Sequence, residues 1–293
     1  MANSQSATAG PNEKAPEITT DCRAPANVAH MLSDTVCTKK INAAPSKIFV
    51  LGIFAGAYIA FGAALATLVG HDAAAFVGVG LGKFMTGAVF SVGLMLVVIA
   101  GSELFTGNNL MLMTVLDRRA SLGRMLNKWA LVYIANFIGS MLLVVLYYLT
   151  DLWKSNDLAV GIAALKIANA KVNLSFIEAL ARGILCNWLV CLAVYLAFAS
   201  RNVIGKIFSC FFPIMAFVAS GFEHSVANMY FIPQGLFLKG TQVAQASGLD
   251  LANLTWGGFI LNNLLPVTIG NIIGGSLLVG MGYWYVYVRD TDQ

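Results

Sequence analysis

Two eight-residue stretches decide the reading of this chain: GSELFTGN at residues 101–108 and GFEHSVAN at residues 221–228. Both spell G-x-E-x-x-x-x-N, and Gly101, Glu103 and Asn108 recur 120 positions later as Gly221, Glu223 and Asn228. Each stretch sits inside an apolar run, about 84–116 and about 207–238, longer than the roughly 20 residues one membrane crossing needs. Polar residues in hydrocarbon are costly, and a helix interrupted there is tolerated only if its freed backbone groups face protein or a cavity. The expectation is two broken helices in corresponding positions, with Glu103, Asn108, Glu223 and Asn228 as structural residues of the breaks.

Four more apolar runs, at about 48–69, 126–150, 173–200 and 257–288, complete six candidate spans. Three spans separate equivalent points, so the two halves have opposite topology. An inverted 3+3 repeat with broken second and fifth helices points to a transport site near the bilayer midplane. Composition agrees: 58% of residues are hydrophobic, 11% are charged and the mean hydropathy is +0.75, against roughly a quarter charged in soluble domains. The expected fold class is an all-α integral membrane protein, with residues 47–290 forming a channel domain of six transmembrane helices. Residues 1–46 form a polar amino-terminal region. It is expected to be partly disordered, since Met1–Cys22 is rich in Ala, Ser, Pro, Asn, Glu and Thr. It lacks the basic start and apolar core of a cleaved signal peptide.

Lys and Arg set the orientation. Lys14, Arg23, Lys39, Lys40, Lys47, Arg118, Arg119, Arg124, Lys128, Arg201, Lys206 and Arg289 fall on one side, twelve of the eighteen basic residues. Both termini are therefore expected in the cytoplasm, with the chain in the inner or plasma membrane. A net charge of +4, dispersed along the chain, does not suggest a nucleic-acid partner. The five cysteines, Cys22, Cys37, Cys186, Cys191 and Cys210, lack metal-ligand spacing and read as apolar fillers, so no metal and no cofactor is expected.

Ionisable residues inside the spans are few: Glu103, Glu178, Arg182, Glu223 and His224, with Lys171 at the outer entrance of the fourth helix. A carboxylate beside a broken helix can accept from the freed backbone N–H groups, the structural role expected of Glu103 and Glu223. Glu178 and Arg182, four apart, can pair on one helix face. Of three histidines only His224 lies in a span. An imidazole is the side chain closest to titrating near neutral pH. At a helix break it can donate to an anion or pass it a proton.

At this point the motifs resemble the formate/nitrite transporter family over nearly the whole chain from about residue 26. Segments 101–108, 171–195, 219–233 and 263–278 look closest to bacterial formate channels. The resemblance implies an aquaporin-like arrangement of six helices per protomer, a homopentamer in the lipid bilayer, and one pore in each protomer. It places the central histidine on His224 and the loop threonine on Thr106, the latter beside Leu104 and Phe105. The outer-vestibule lysine falls on Lys171, the following asparagine on Asn187, and the constriction residues on Phe90, Leu94, Val190 and Phe217. Asn173 and Leu174 stand where formate channels carry a histidine pair, and Arg182 is outside the formate-channel pattern.

Together these parts imply a channel or transporter for small monovalent anions of weak acids and for protons, with formate first and nitrite or hydrosulfide next. Lys171 would raise the local anion concentration. Apolar rings would bar a bare anion, and Thr106, Asn187 and His224 would offer donors where the acid is neutralised. The alternative is a channel for neutral solutes, although the N-P-A repeats of that class are absent. A membrane-embedded enzyme using His224 and Glu223 lacks a nucleophile or metal motif.

Overall fold

The structure, a computed structural model, describes residues 22–289. The disorder expected of the first 21 residues lies outside the described residues. Cys22, placed in the same tail, instead pairs with Ser200 in an isolated antiparallel bridge.

Among the described residues the architecture is helical. Helix α1 spans residues 25–42 and α2 spans Pro45–Gly70, with Pro45 at its first turn, where the missing N–H costs nothing. Helix α3 covers Val79–Gly101, α4 covers 107–116 and α5 covers Leu122–Leu149. Then come α6, Ala159–Val172; α7, Phe176–Ala199; α8, Val203–Ala219; α9, Ser225–Leu238; and α10, Gly258–Tyr287. Helices α2, α3, α5, α7 and α10 are long and apolar enough to cross a membrane. The fifth apolar run is split: α8 has 17 residues and α9 has 14, on either side of a break at 220–224. Exposed Phe54, Phe61, Leu146, Leu149, Ile177, Phe208, Phe212 and Leu261 give the bundle an apolar exterior, more than a soluble monomer leaves uncovered.

Two of these helices, α1 and α6, lie outside the six expected spans. Helix α6 is 14 residues long and carries Lys166, Asn169 and Lys171. At 1.5 Å per residue it is about 21 Å long, too short to span hydrocarbon, and it packs along α9, with Ala168 close against Gly235. Helix α1 likewise packs on α4. Each half-helix is thus covered by an element that hydropathy does not reveal.

Four of the basic residues expected on one side bond to the amino-terminal region or to the end of α7. Arg119 bonds Asp34, Arg124 Nη2 donates to Asn42 Oδ1 at 2.6 Å, Lys128 Nζ donates to the Ala43 carbonyl, and Arg23 Nη1 donates to the Phe198 carbonyl at 2.8 Å. Tyr195 Oη donates to the Pro25 carbonyl at the same end.

Candidate functional site

Helix α3 stops because Gly101 adopts φ +87°, a left-handed conformation that favours glycine. The chain turns through 102–106 and resumes in α4. Several of its freed backbone groups find partners in the neighbouring helices. Glu103 N–H donates to the Leu51 carbonyl at 3.2 Å and Phe105 N–H to Asn136 Oδ1 at 2.9 Å. Asn136 Nδ2 donates in turn to the carbonyls of Gly52 and Glu103 at 2.8 and 2.9 Å. The Glu103 carboxylate accepts from Lys40 Nζ at 3.1 Å and from Asn108 Nδ2 at 2.9 Å.

The second break repeats this arrangement. Gly221 has φ +77°. Glu223 N–H donates to the Arg182 carbonyl at 3.2 Å and Ser225 N–H to Asn271 Oδ1 at 2.9 Å. Asn271 Nδ2 donates to the carbonyls of Gly183 and Glu223 at 2.8 and 3.0 Å. The Glu223 carboxylate accepts from Lys171 Nζ at 2.8 Å, and from Asn228 Nδ2 and Asn263 Nδ2 at 2.7 and 3.2 Å.

These bonds correct two expectations. The carboxylates of Glu103 and Glu223 bond lysine and asparagine side chains, while Asn136 and Asn271 serve the broken backbone. Lys171 lies near the end of α6 rather than at the start of the fourth span, and it is an ion-paired residue with its side chain 15% exposed. Lys40, counted above only as a basic residue of the amino-terminal region, is its counterpart. Asn136, Asn271 and Asn263 carried a signal too: a carboxamide in an apolar run needs partners as much as a carboxylate does.

Between the two breaks stands a buried pair. His224 caps α9: the Ala227 N–H donates to His224 Nδ1 at 3.0 Å. A backbone N–H can only donate, so Nδ1 is the acceptor and the ring proton sits on Nε2. Nε2 faces Thr106 Oγ1 at 2.9 Å. The imidazole therefore donates to the threonine oxygen, and the threonine's own hydroxyl hydrogen has no acceptor among the described residues. Thr106 is fully buried and His224 is 3% exposed. This contact joins the two halves of the chain across 118 positions.

Apolar walls lie on both sides of that pair. Toward Lys40, Leu94 and Leu104 line a cavity of about 300 Å³, together with Leu51, Ser102, Glu103 and Asn108. Toward Lys171 the rings form a chain. The Lys171 ammonium lies over Phe231, 5.3 Å from the ring centroid. Phe231 stacks on Phe90 at 6.3 Å, Phe90 meets Phe217 edge-on at 5.7 Å, and Phe217 stacks on His224 at 5.9 Å. Val190 is buried on α7.

Three expected roles are not served by this geometry. Phe105 turns away from Leu104, packs edge-on against Trp129 and Tyr133, and lines a separate apolar groove with Leu264 and Leu265. Asn187 Nδ2 is taken up by Asn109 Oδ1 and the Asn271 carbonyl, both at 2.7 Å, and by the Thr106 carbonyl at 3.3 Å. It holds the loop and has no donor to offer. Glu178 closes a capping box with Ser175, whose N–H and Oγ both donate to its Oε2, rather than an ion pair with Arg182. Among the described residues no cluster of His, Cys, Asp or Glu could hold a metal ion.

Broken helices with buried polar junctions, set in a bundle with an apolar exterior, define a multi-pass membrane protein of the channel and transporter class. The formate/nitrite transporter family model matches residues 27–285, and the chain belongs to that family. It is 45% identical to a probable formate transporter of Methanothermobacter thermautotrophicus, over 92% of this chain and 98% of the relative. It is 40% identical to the formate channel FocA of Escherichia coli strain K12, over 85% and 89% respectively. A solved pentameric formate channel with formate bound superposes with a TM-score of 0.75 at 36% identity, covering 84% of this chain and 98% of the other.

Proposed function

We propose that this protein is a channel for small monovalent anions of weak acids, with formate as first substrate, and that passage is coupled to a proton at His224. The observation that carries the reading is the free hydroxyl hydrogen of Thr106, held in place by the His224 ring between two apolar walls. A carboxylate-sized anion is the acceptor that this donor lacks. The Leu94–Leu104 and Phe90–Phe217 walls oppose a bare charge, because hydrocarbon offers it no solvation. Low-dielectric surroundings favour the protonated acid. An anion that takes up a proton beside the imidazole crosses the remaining wall as a neutral molecule.

The topology that suits this role has six spans, with α8 and α9 together as the fifth, arranged as an inverted, aquaporin-like repeat. Lys40 and the amino terminus are on the cytoplasmic side, and Lys171 is at the outer mouth. The assembly is a homopentamer with one pore per protomer, in keeping with the pentameric relative.

The test is stopped-flow light scattering from proteoliposomes given formate, nitrite, hydrosulfide or glycerol. Formate should enter fastest and acidification should speed its entry. Glycerol entry without formate entry would overturn the reading in favour of a neutral-solute channel.

A further inference from the structure

The two breaks differ in charge at one pair of equivalent positions. Glu103 N–H bonds the carbonyl of Leu51, and Glu223 N–H bonds the carbonyl of Arg182, each at 3.2 Å. The next residues, Gly52 and Gly183, each accept from the buried asparagine of their own half at 2.8 Å. Arg182 therefore holds toward Glu223 the place that Leu51 holds toward Glu103. Leu51 lines the cavity at the Lys40 mouth, and both residues are half-buried. Where the first half presents an isobutyl group, the second presents a guanidinium.

Three other charged residues on that side, Lys171, Lys239 and Glu178, are committed. Lys171 is paired with Glu223 at 2.8 Å. Lys239 Nζ is held by the carbonyls of Leu251 and Leu254. Glu178, one turn before Arg182, is within electrostatic reach of it, but it is exposed and its carboxylate is bonded to Ser175. The guanidinium itself makes no hydrogen bond or ion pair among the described residues. Five N–H donors inside a span require water or an anion.

We infer that Arg182 is the anion-gathering residue of the mouth on the Lys171 side, the part that a lysine already neutralised by Glu223 does not fill. This rests on the anion-channel reading above. Arg182 is fixed beside the break by its own backbone, and its charge raises anion concentration there before any selectivity step.

The experiment compares wild type, Arg182→Gln, Arg182→Leu and Arg182→Lys in proteoliposomes, with formate flux measured at about 0.01 M and about 0.5 M ionic strength. Screening shortens from about 30 Å toward a few ångströms over that range. Arg182→Gln and Arg182→Leu should lose about two- to fivefold at low salt, the effect of one partly screened charge, and match wild type at high salt. Arg182→Lys should follow wild type throughout. Arg182→Leu copies the first half and suits hydrocarbon, so it carries the test if Arg182→Gln does not assemble. An equal loss at both salts would make Arg182 a packing residue. No loss at either would mean the guanidinium reaches lipid headgroups instead. Either result overturns the inference, whereas a wild type that passes no formate would sink the function reading itself.

Discussion

The two helix breaks are built from the same parts and differ where the parts face the path. Lys40, Glu103, Asn108 and Asn136 in the first half answer to Lys171, Glu223, Asn228 and Asn271 in the second, in the lysine–carboxylate, asparagine–carboxylate and asparagine–backbone bonds, while Asn263 joins the second network alone. The shared set solves one problem, the satisfaction of backbone and carboxylate groups in a medium without water. At the positions related by 120 residues the halves part: Leu104 against His224, and Phe105 against Ser225. The scaffold is duplicated while the chemistry is single. Two identical apolar gates would exclude every polar solute. On the function proposed above, the one polar point between unlike walls is what selects.

Removing a lysine tests the scaffold and should have the largest effect. Lys171→Met leaves Glu223 buried without its cation, which costs roughly 3–5 kcal/mol when an ion pair is fully buried. Lys40→Met should cost less, because the Lys40 side chain is 28% exposed against 15% for Lys171, and solvent screens what remains. Thermal unfolding in detergent reads both. A Lys171→Met, Glu223→Gln double variant should recover much of the loss. If Lys40→Met is the more damaging, the two junctions are not the equivalents described above.

His224 tests the chemistry. His224→Phe keeps a ring beside Phe217 but removes the donor to Thr106 and the cap of α9. Formate flux should fall about tenfold or more, since the group that orients the Thr106 hydroxyl and the ring N–H are lost together, worth one to two hydrogen bonds, and the dependence of flux on external pH should flatten. The cap alone is worth about 1 kcal/mol of helix stability. His224→Asn restores a good capping residue without the imidazole. If it recovers flux as well as stability, His224 acts only as a cap.

The smallest effect is expected at the partner of that contact. Thr106→Val keeps the shape and removes the hydroxyl that donates to the anion, but it frees the His224 Nε2–H to donate in its place, so the net loss is about 0.5–1.5 kcal/mol. Formate flux should drop by about two- to tenfold, with little change in unfolding temperature. A larger loss than for His224→Phe would make the threonine, rather than the imidazole, the selective element.

The broken helices were legible because glycine, carboxylate and carboxamide inside apolar runs violate the rules of hydrocarbon, and they do so twice at one spacing. Helices α1 and α6 were not, because their function is to cover a half-helix and their composition is that of any amphipathic segment. Sequence also left Lys40 among the residues that orient a membrane protein. Its role appears only when α1 folds back to bring it within 3.1 Å of Glu103, 63 positions away.

The sequence by itself determined that this chain crosses a membrane, that two of its spans are interrupted, and that His224 and Thr106 lie at the interruptions. These follow from local composition and spacing, which read directly as transfer free energies along the chain. Tertiary structure alone decided which polar groups are already satisfied. Lys171 is neutralised, Asn187 is occupied with the loop and Phe105 faces away, while the Thr106 hydroxyl is left to donate. The reason is that a hydrogen bond or an ion pair is a matter of distance in space. The partners that settle these roles are distant in sequence: 52 positions for the Lys171–Glu223 pair and 118 for the Thr106–His224 contact, with even Phe105 held by Trp129 and Tyr133 of the next span.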